Sequence, residues 1–232
     1  MKKVLLTGAS KGIGKALAIS LAEAGHTVGA MARSKDALEE LAAGDYQGKI
    51  IPLPADLSSK AQMKETFDSF LQEAGSIDIL INNAGAGIFK TAEELSLEEW
   101  DKIMSLNARA TFYMCNLAIP EMKKQGAGHI IGVATDVSKR TIANGSLYCA
   151  SKYAQDAFLG SLRKEVRKDN IKVSVIYPGL VDTYFHGAQT GAGTQVEFLN
   201  PGDVADSVIH IVNAPAHVVI DELMIHPISQ EY

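Results

Sequence analysis

Short apolar runs alternate with longer amphipathic stretches along the whole chain, and this order limits the possible folds more than any other feature of the sequence. The predicted strands, some with their exit loops, occupy residues 2–7, 26–32, 49–55, 77–85, 128–135, 171–179 and 217–225. The predicted helices occupy residues 12–25, 34–43, 59–75, 96–126, 146–170 and 201–215. Because the strands are apolar throughout and are separated by helices, the sequence predicts an α/β fold with one doubly wound parallel sheet and helices on both faces.

The longest helical stretch, 96–126, has a defined start and an internal irregularity. Ser96 is followed three residues later by Glu99, which is the pattern of a capping box. Pro120 lies inside the stretch and predicts a bend or a break there. We therefore expect one long helix that does not remain regular to its end.

The length and composition are those of a single domain. The 232 residues are 47% hydrophobic and contain no repeat, low-complexity segment or convincing linker, so we treat 1–232 as one domain. Only residues 184–200, YFHGAQTGAGTQVEFLN, lack a clear period. A glycine-rich loop of this length is usually either a functional lid or disordered, and this segment is our candidate substrate lid.

Charge and cysteine content exclude several classes of partner from the prediction. The net charge is −5, so no basic surface indicates nucleic acid binding. Cys115 and Cys149 are not in a metal-like spacing, and no other cluster predicts a metal site. No apolar run approaches the ~20 residues of a membrane helix. The amino terminus lacks a signal-peptide core, so we expect a cytoplasmic protein without a membrane partner.

A glycine-rich loop, TGASKGIG at residues 7–14, follows the first predicted strand. Its glycines at 8, 12 and 14 depart from the usual G-x-G-x-x-G spacing, but they can serve the same purposes. They permit a sharp turn, a close approach of the backbone to a pyrophosphate, and tight packing of the next helix on the sheet. That helix begins near Gly12 and directs its amides and positive dipole end at the loop, which predicts dinucleotide binding.

The end of the second predicted strand favours NADP over NAD. An NAD site often has an acidic residue there, which binds the ribose hydroxyls. This chain instead has Arg33 and Ser34, with no acid before Asp36. Arginine suits a 2′-phosphate, and Lys11 in the glycine loop adds a second positive charge. The alternative is that both cations are ordinary solvated surface residues.

The segment YCASK places Tyr148 four residues before Lys152, one helical turn apart. Such pairs are common on exposed helix faces, where the spacing has no functional meaning. Alternatively, a lysine charge beside a phenol favours the phenolate and lets the tyrosine exchange a proton near neutral pH. The spacing alone does not decide between these two interpretations.

Together, TGxxxGIG, NNAG at 82–85, YxxxK and the following PG resemble the classical short-chain dehydrogenase/reductase family, in its NADP-preferring branch. The resemblance implies a Rossmann-like fold over the whole chain and an oxidoreductase. Such an enzyme transfers a hydride between the nicotinamide of NADP(H) and a small carbonyl or secondary alcohol. It also implies a homodimer or homotetramer that pairs through 96–126 and 146–170.

The resemblance also implies which residues bind the cofactor. Asp56 is similar to the residue that contacts the adenine, 83–85 to the lining of the cofactor channel, and 178–183 to the segment that holds the carboxamide. The full implied set is Gly8, Ser10, Lys11, Gly12, Ile13, Gly14, Arg33, Ser34, Asp56, Leu57, Asn83, Ala84, Gly85, Tyr148, Lys152, Pro178, Gly179, Val181 and Thr183.

Four residues match the catalytic positions of the family. Tyr148 is the implied general acid and base, and Lys152 is expected to lower its pKa and to bind the ribose. Asn107 is similar to an asparagine that holds a proton-relay water. The family usually has a serine thirteen residues before the tyrosine, where this chain has Thr135, which keeps a hydroxyl to orient the substrate oxygen. The neighbouring Asp136 is unusual there; either it points to solvent or it favours a cationic or polar substrate, and its role stays open.

The substrate also stays open. The final residues, HVVIDELMIHPISQEY, resemble the branch that oxidises 3-hydroxy acids, and Arg140 is the nearest candidate to bind a substrate carboxylate. Because a fold does not fix a function, a non-catalytic NADP(H)-binding sensor or scaffold is the alternative. A third possibility is an isomerase or dehydratase, which would return its cofactor unchanged.

Overall fold

The computed structural model describes residues 1–183 and 198–231, and in these residues seven strands form one parallel sheet in the order β3-β2-β1-β4-β5-β6-β7. The strands are β1 (Lys3–Thr7), β2 (Thr27–Ala32), β3 (Lys49–Pro54), β4 (Ile79–Asn82), β5 (Gly128–Val133), β6 (Ile171–Pro178) and β7 (Glu222–Ile225). The predicted doubly wound sheet is confirmed. The candidate lid at 184–200 lies outside the described residues except for 198–200.

Helices cover both faces of this sheet. They are α1 (Gly12–Glu23), α2 (Lys35–Ala42), α3 (Lys60–Ala74), α4 (Leu97–Met104), α5 (Ala110–Gln125), α6 (Ser146–Val166) and α7 (Pro201–Val212). The core on one face contains buried residues of α1, α2 and α7, and the core on the other contains buried residues of α3, α5 and α6. Two cores explain why the strands are apolar throughout instead of alternating.

The long helical stretch differs from the prediction at Pro120. The capping box is confirmed, since Ser96 Oγ accepts the Glu99 amide at 3.1 Å and Glu99 Oε2 accepts the Ser96 amide at 3.0 Å. However, α5 continues through Pro120, because Ala118 and Met122 on either side of it are fully buried and fix the helix on the sheet. The irregularity is instead a π-helical turn at Ser105–Arg109, between α4 and α5.

The last strand is also shorter than predicted. It pairs with β6 from Glu222 to Ile225, whereas the prediction began at residue 217. Residues 217–221 precede the paired register, and Lys172 Nζ on β6 donates to the Val218 carbonyl at 2.6 Å. A side chain therefore satisfies this part of the backbone, which the sequence pattern could not indicate.

The strand order reverses direction between β1 and β4, which are adjacent in the sheet although β2 and β3 lie between them in the chain. The connections leaving these two strands go to opposite sides, so a crevice opens beyond their carboxyl ends. Ligands of open α/β sheets bind in this crevice. The glycine loop after β1 and the NNAG segment at the end of β4 lie on its two sides.

Candidate active site

A cavity of about 1080 Å³ lies at the carboxyl ends of the strands. It is lined by every residue that the sequence assigned to cofactor or catalysis except Asn107. These are Gly8, Ser10, Lys11, Gly12, Ile13, Gly14, Arg33, Ser34, Asp56, Leu57, Asn83, Ala84, Gly85, Thr135, Tyr148, Lys152, Pro178, Gly179, Val181 and Thr183. Ser138, the other hydroxyl near Thr135, does not line this cavity.

The glycine loop is held in a conformation that side chains would prevent. Gly8 and Gly12 have positive φ angles of 72° and 53°, and a Cβ on Gly14 would lie 2.0 Å from the Gly8 carbonyl oxygen. The Asn83 side chain fixes the loop, because its Nδ2 donates to the carbonyls of Thr7 at 3.0 Å and of Gly8 at 3.2 Å. Asn83 therefore shapes the loop from the neighbouring strand as well as lining the cavity.

The first turn of α1 faces the cavity without a side-chain cap. Lys11 occupies the N-cap position, makes no side-chain capping hydrogen bond, and the first turn contains no acidic residue. The amides at a helix start lack intrahelical partners and carry a partial positive charge. Together with the close-packed glycines, this end of the cavity fits a dinucleotide pyrophosphate.

The far end of the cavity has side chains of both charges near the surface. Arg33 and Ser34 are exposed after β2, and Asp56 follows β3. The Asp56 carboxylate accepts the Ser58 amide at 2.8 Å, and hydrogen bonds from Ser58 lower the pKa of Asp56 below its usual range, with a smaller contribution from the charge of Arg33. An ionised Asp56 and a positive Arg33 therefore share this end of the site.

Tyr148 and Lys152 lie on the buried side of α6, with 7% and 3% of their surface exposed. Lys152 Nζ donates to the Val133 carbonyl at 3.1 Å and to Gln155 Oε1 at 2.9 Å. Burial lowers the pKa of Lys152 to about 8. These positions exclude the interpretation of YCASK as an ordinary exposed helix pair.

The pKa of Tyr148 shifts in the direction opposite to the sequence-based expectation. Burial raises it above the usual value for a phenol, and the negative charge of Asp136 adds to the rise. A side-chain hydrogen bond with Thr135 opposes the rise without cancelling it. The Phe89 ring, whose centroid lies 5.4 Å from that of Tyr148, contributes to the apolar surroundings. With the chain's own groups, Tyr148 is thus a protonated phenol at neutral pH.

Asp136 is buried and anchors a polar cluster beside Tyr148. Its Oδ1 accepts the hydroxyl of Thr135 at 3.0 Å, and its Oδ2 accepts Arg140 Nε at 3.1 Å and Gln230 Nε2 at 2.9 Å. The alternative that Asp136 points to solvent is wrong, since only 4% of it is exposed. Arg140 lines the cavity and is ion-paired with Asp136.

The sequence analysis missed Gln230, which brings the carboxyl-terminal segment into the site. Its Oε1 accepts the Leu180 amide at 2.8 Å, while its Nε2 binds Asp136. One side chain thus links the corner after β5 to the segment after β6. Gln230 and Asp136 are 94 residues apart in the chain, so no local pattern could have indicated this contact.

Asn107 lies behind the cavity wall, fully buried in the π-helical turn. Its Oδ1 accepts the Ala86 amide at 2.9 Å, and its Nδ2 donates to the Ala86 carbonyl at 2.8 Å and to Ser151 Oγ at 2.9 Å. The side chain therefore ties the segment after β4 to α6, the helix that carries Tyr148 and Lys152.

Within residues 1–183 and 198–231, no three His, Cys, Asp or Glu side chains come together as a group that could hold a metal ion. Over the same residues, no helix combines the length and the apolar character needed to cross a membrane.

Comparison with known proteins identifies the family. The family model described as short chain dehydrogenase matches residues 2–192. The chain belongs to the short-chain dehydrogenase family. Within it, an uncharacterised oxidoreductase of Staphylococcus aureus strain N315 is 32% identical over 227 residues, which cover 98% of this chain and 97% of that protein.

Solved structures of this oxidoreductase family match the whole fold. An alcohol dehydrogenase from the archaeon Thermococcus sibiricus, complexed with 5-hydroxy-NADP, has a TM-score of 0.94 at 31% identity and covers 100% of this chain and 99% of its own. The closed form of a serine dehydrogenase complexed with NADP⁺ has a TM-score of 0.90 at 31% identity, covering 99% and 96%.

Proposed function

We propose that this short-chain dehydrogenase is an NADP(H)-dependent oxidoreductase that interconverts a small carbonyl compound and a secondary alcohol. One observation carries the proposal. Tyr148 and Lys152 are buried in the same cavity as the glycine loop and the uncapped first turn of α1. A nicotinamide dinucleotide bound along this cavity would accept or supply the hydride, and the protein would supply geometry and proton transfer.

The choice of NADP over NAD rests on the charges after β2. Arg33 and Lys11 line the cavity there and are exposed, so both can reach a 2′-phosphate. The residue that follows Arg33 is Ser34, which does not offer the carboxylate that NAD sites often use for the ribose hydroxyls. Both solved structures described above carry an NADP species, which supports the same choice for this chain.

Tyr148 is proposed as the general acid in carbonyl reduction. A buried phenol with a raised pKa holds its proton until a substrate oxygen beside it gains negative charge, and then transfers it. In the opposite direction Tyr148 must first lose its proton, which burial opposes and the positive charge of Lys152 favours. Lys152 is proposed to supply this charge and to bind the ribose.

Thr135 is proposed to orient the substrate oxygen, with one constraint from its partner. A hydroxyl has a single hydrogen, and the Asp136 carboxylate, 3.0 Å from Thr135 Oγ1 and able only to accept, competes for it with the Tyr148 oxygen. To donate to a substrate, Thr135 must therefore release Asp136. Asn107 is proposed to fix α6 through Ser151, and the relay water expected at Asn107 stays a prediction.

A 3-hydroxy acid substrate and an oligomeric assembly also stay predictions. Arg140 pairs with Asp136, so a substrate carboxylate would share this guanidinium with a buried anion. Trp100 on α4 and Phe112 on α5 expose 42% and 50% of their surface, which suits the expected pairing of long helices.

The proposal is tested by initial rates of NADPH oxidation on a panel of small aldehydes, ketones and 3-oxo acids, with NADP⁺ reduction by serine and 3-hydroxy acids measured in parallel. Turnover of NADPH with alcohol formation is the expected result. Tight NADPH binding without turnover of any compound would favour the sensor, and product formation without net NADPH consumption would favour an isomerase or dehydratase.

A further inference from the structure

A chain of buried side chains lies behind Lys152, on the side away from the cavity. Lys152 Nζ donates to Gln155 Oε1 at 2.9 Å, and Gln155 Nε2 donates to Thr111 Oγ1 at 2.9 Å. Thr111 Oγ1 in turn donates to the backbone carbonyl of Asn107 at 3.1 Å. Gln155 and Thr111 expose only 1% and 3% of their surface, and neither lines the cavity.

We propose that Gln155 is a positioning residue that holds the Lys152 ammonium from behind with a neutral acceptor, and that Thr111 fixes the orientation of the Gln155 amide. This inference rests on the proposed function, because it concerns how Lys152 serves Tyr148 and the cofactor. It assigns no contact between Gln155 and substrate or cofactor.

The orientation of the Gln155 amide follows from the donors and acceptors around it. The carbonyl of Asn107 can only accept, so the Thr111 hydroxyl donates its single hydrogen to that oxygen. Its oxygen must then accept from the amide nitrogen of Gln155. The amide oxygen is left facing Lys152, whose ammonium can only donate. The assignment of the two amide atoms is therefore fixed by the network itself.

The π-helical turn provides the last link of this chain. Asn107 lies within the turn Ser105–Arg109, and Thr111 lies in the first turn of α5 immediately after it. A hydroxyl that donates to the carbonyl four residues earlier is a common local contact of threonine in helices. Here it connects the irregular turn to α6, and π-helical turns are frequent at functional sites.

The neutral character of Gln155 matters because an amide holds an ammonium without offsetting its positive charge, whereas a carboxylate would offset it. Lys139 shows the contrast within the same chain. Although burial lowers its pKa, hydrogen bonds and charges from Asp156 and Glu222 raise the pKa of Lys139 overall. Lys152 makes its hydrogen bonds to an amide and a backbone carbonyl, neither of which carries a negative charge that would offset the ammonium.

The first test replaces the amide by a carboxylate of the same shape. In Gln155→Glu, an anion would pair with Lys152 and raise its pKa. In carbonyl reduction, kcat should change with pH where Lys152 gains or loses its proton. We expect the midpoint of this change to move upward by about one pH unit or more. At neutral pH, kcat should fall about tenfold, because the introduced carboxylate offsets the positive charge that Lys152 presents to Tyr148. An unchanged pH profile and kcat in a folded Gln155→Glu protein would overturn the inference.

A second pair of variants tests Thr111 and keeps the inference open to refutation if Gln155→Glu does not fold. Thr111→Val keeps the shape but removes the hydroxyl that orients Gln155, whereas Thr111→Ser retains it. We expect the midpoint of this change in kcat to shift in Thr111→Val and to return to its wild-type position in Thr111→Ser. Equal profiles in both variants would contradict the role of the hydroxyl.

The failure of this inference is distinguishable from the failure of the proposed function. If the wild-type protein binds NADPH but transfers no hydride to any compound, the proposed function fails and Lys152 has no catalytic task for Gln155 to support. If the wild type is active and loses its activity in Tyr148→Phe, but the Gln155 and Thr111 variants keep its pH profile, only the positioning role is wrong.

Discussion

The two ends of the cavity are built in different ways. The end proposed to bind the cofactor, called the cofactor end below, consists of two glycines with positive φ angles, an uncapped helix start and exposed cationic side chains. The end proposed for catalysis, called the catalytic end below, consists of buried side chains from α6, the π-helical turn and the carboxyl-terminal segment. The glycine loop and the helix start are adjacent in the sequence, with Asn83 of the neighbouring strand holding the loop, whereas every part of the catalytic end comes from elements far apart in the chain.

The causes of the pKa shifts also differ between the two ends. At the cofactor end, Asp56 is kept ionised by hydrogen bonds from Ser58 in partly exposed surroundings. At the catalytic end, burial is the largest cause of the pKa shifts of both Tyr148 and Lys152, and it disfavours the charged form of each. The comparison predicts that the two ends can be disabled separately.

Tyr148→Phe should have the largest effect on turnover and none on the cofactor end. Without the phenolic proton, kcat should fall about 10²–10⁴-fold, which is the usual contribution of acid–base catalysis. The Kd for NADPH should stay within about twofold, because the glycine loop is untouched. Steady-state rates and NADPH fluorescence titration measure the two quantities, and full activity would remove Tyr148 from the mechanism.

Lys152→Met should change both the turnover and the pH dependence of the stability. The variant should lose most of its turnover, and its stability should depend on pH differently from that of the wild type. In the wild type the pKa of Lys152 is about 8 when folded, against a usual value of 10.5. Between these pH values the unfolded chain binds more protons, so the wild type gains stability relative to the variant as pH rises from 8 to 10.5.

Thermal unfolding of both proteins across this pH range checks the prediction. Lys164→Met is a matched control, because Lys164 is exposed on the same helix. A stability difference between wild type and Lys152→Met that does not change from pH 7 to pH 10.5 would contradict a lowered pKa at Lys152.

Gly14→Ala should weaken NADPH binding at the cofactor end. Its Cβ would lie 2.0 Å from the Gly8 carbonyl oxygen and 2.6 Å from Asn83 Nδ2, so the loop and strand must move apart. We expect NADPH affinity to fall about tenfold or more. The higher helix propensity of alanine does not compensate for this clash. Gly160→Ala on α6 is the control, since a Cβ there meets nothing within 4 Å. Equal NADPH affinity in the two variants would argue against the glycine cradle.

Arg33→Ala should have the smallest of these effects and should act on one cofactor only. Loss of a charged hydrogen bond to a 2′-phosphate should raise the Kd for NADPH about tenfold and leave that for NADH unchanged. Lys35→Ala removes a nearby exposed cation that pairs with Glu39 and does not line the cavity, so it should change neither constant. Equal wild-type affinities for NADPH and NADH would refute the cofactor choice.

The sequence could predict the features that rest on neighbouring residues, but not the contacts between distant ones. The alternation of strands and helices, the glycine loop and the Tyr148–Lys152 spacing rest on local patterns, and the structure places the loop and the Tyr148–Lys152 pair in one cavity. The contact of Gln230 with Asp136 joins residues far apart in the chain and left no local trace. Gln155 had a local signal that went unused, since it lies three residues after Lys152 on the buried side of α6.

Two local expectations of the sequence analysis meet an opposing tertiary effect. Pro120 was expected to bend or break the helix, but the burial of Ala118 and Met122 decides the outcome there. Lys152 is expected to lower the pKa of Tyr148, which stays a prediction, while burial raises that pKa. In both cases the tertiary surroundings outweigh the local effect that the sequence shows.

The most direct test of the account follows a hydride from one end of the site to the other. NADPH carrying deuterium at both C4 positions would be incubated with the wild-type protein and a carbonyl compound that it reduces, and the alcohol analysed by mass spectrometry and NMR. The account predicts one deuterium on the carbinol carbon for each NADPH oxidised. An alcohol that carries only solvent hydrogen at that carbon would contradict the idea that both ends form one active site.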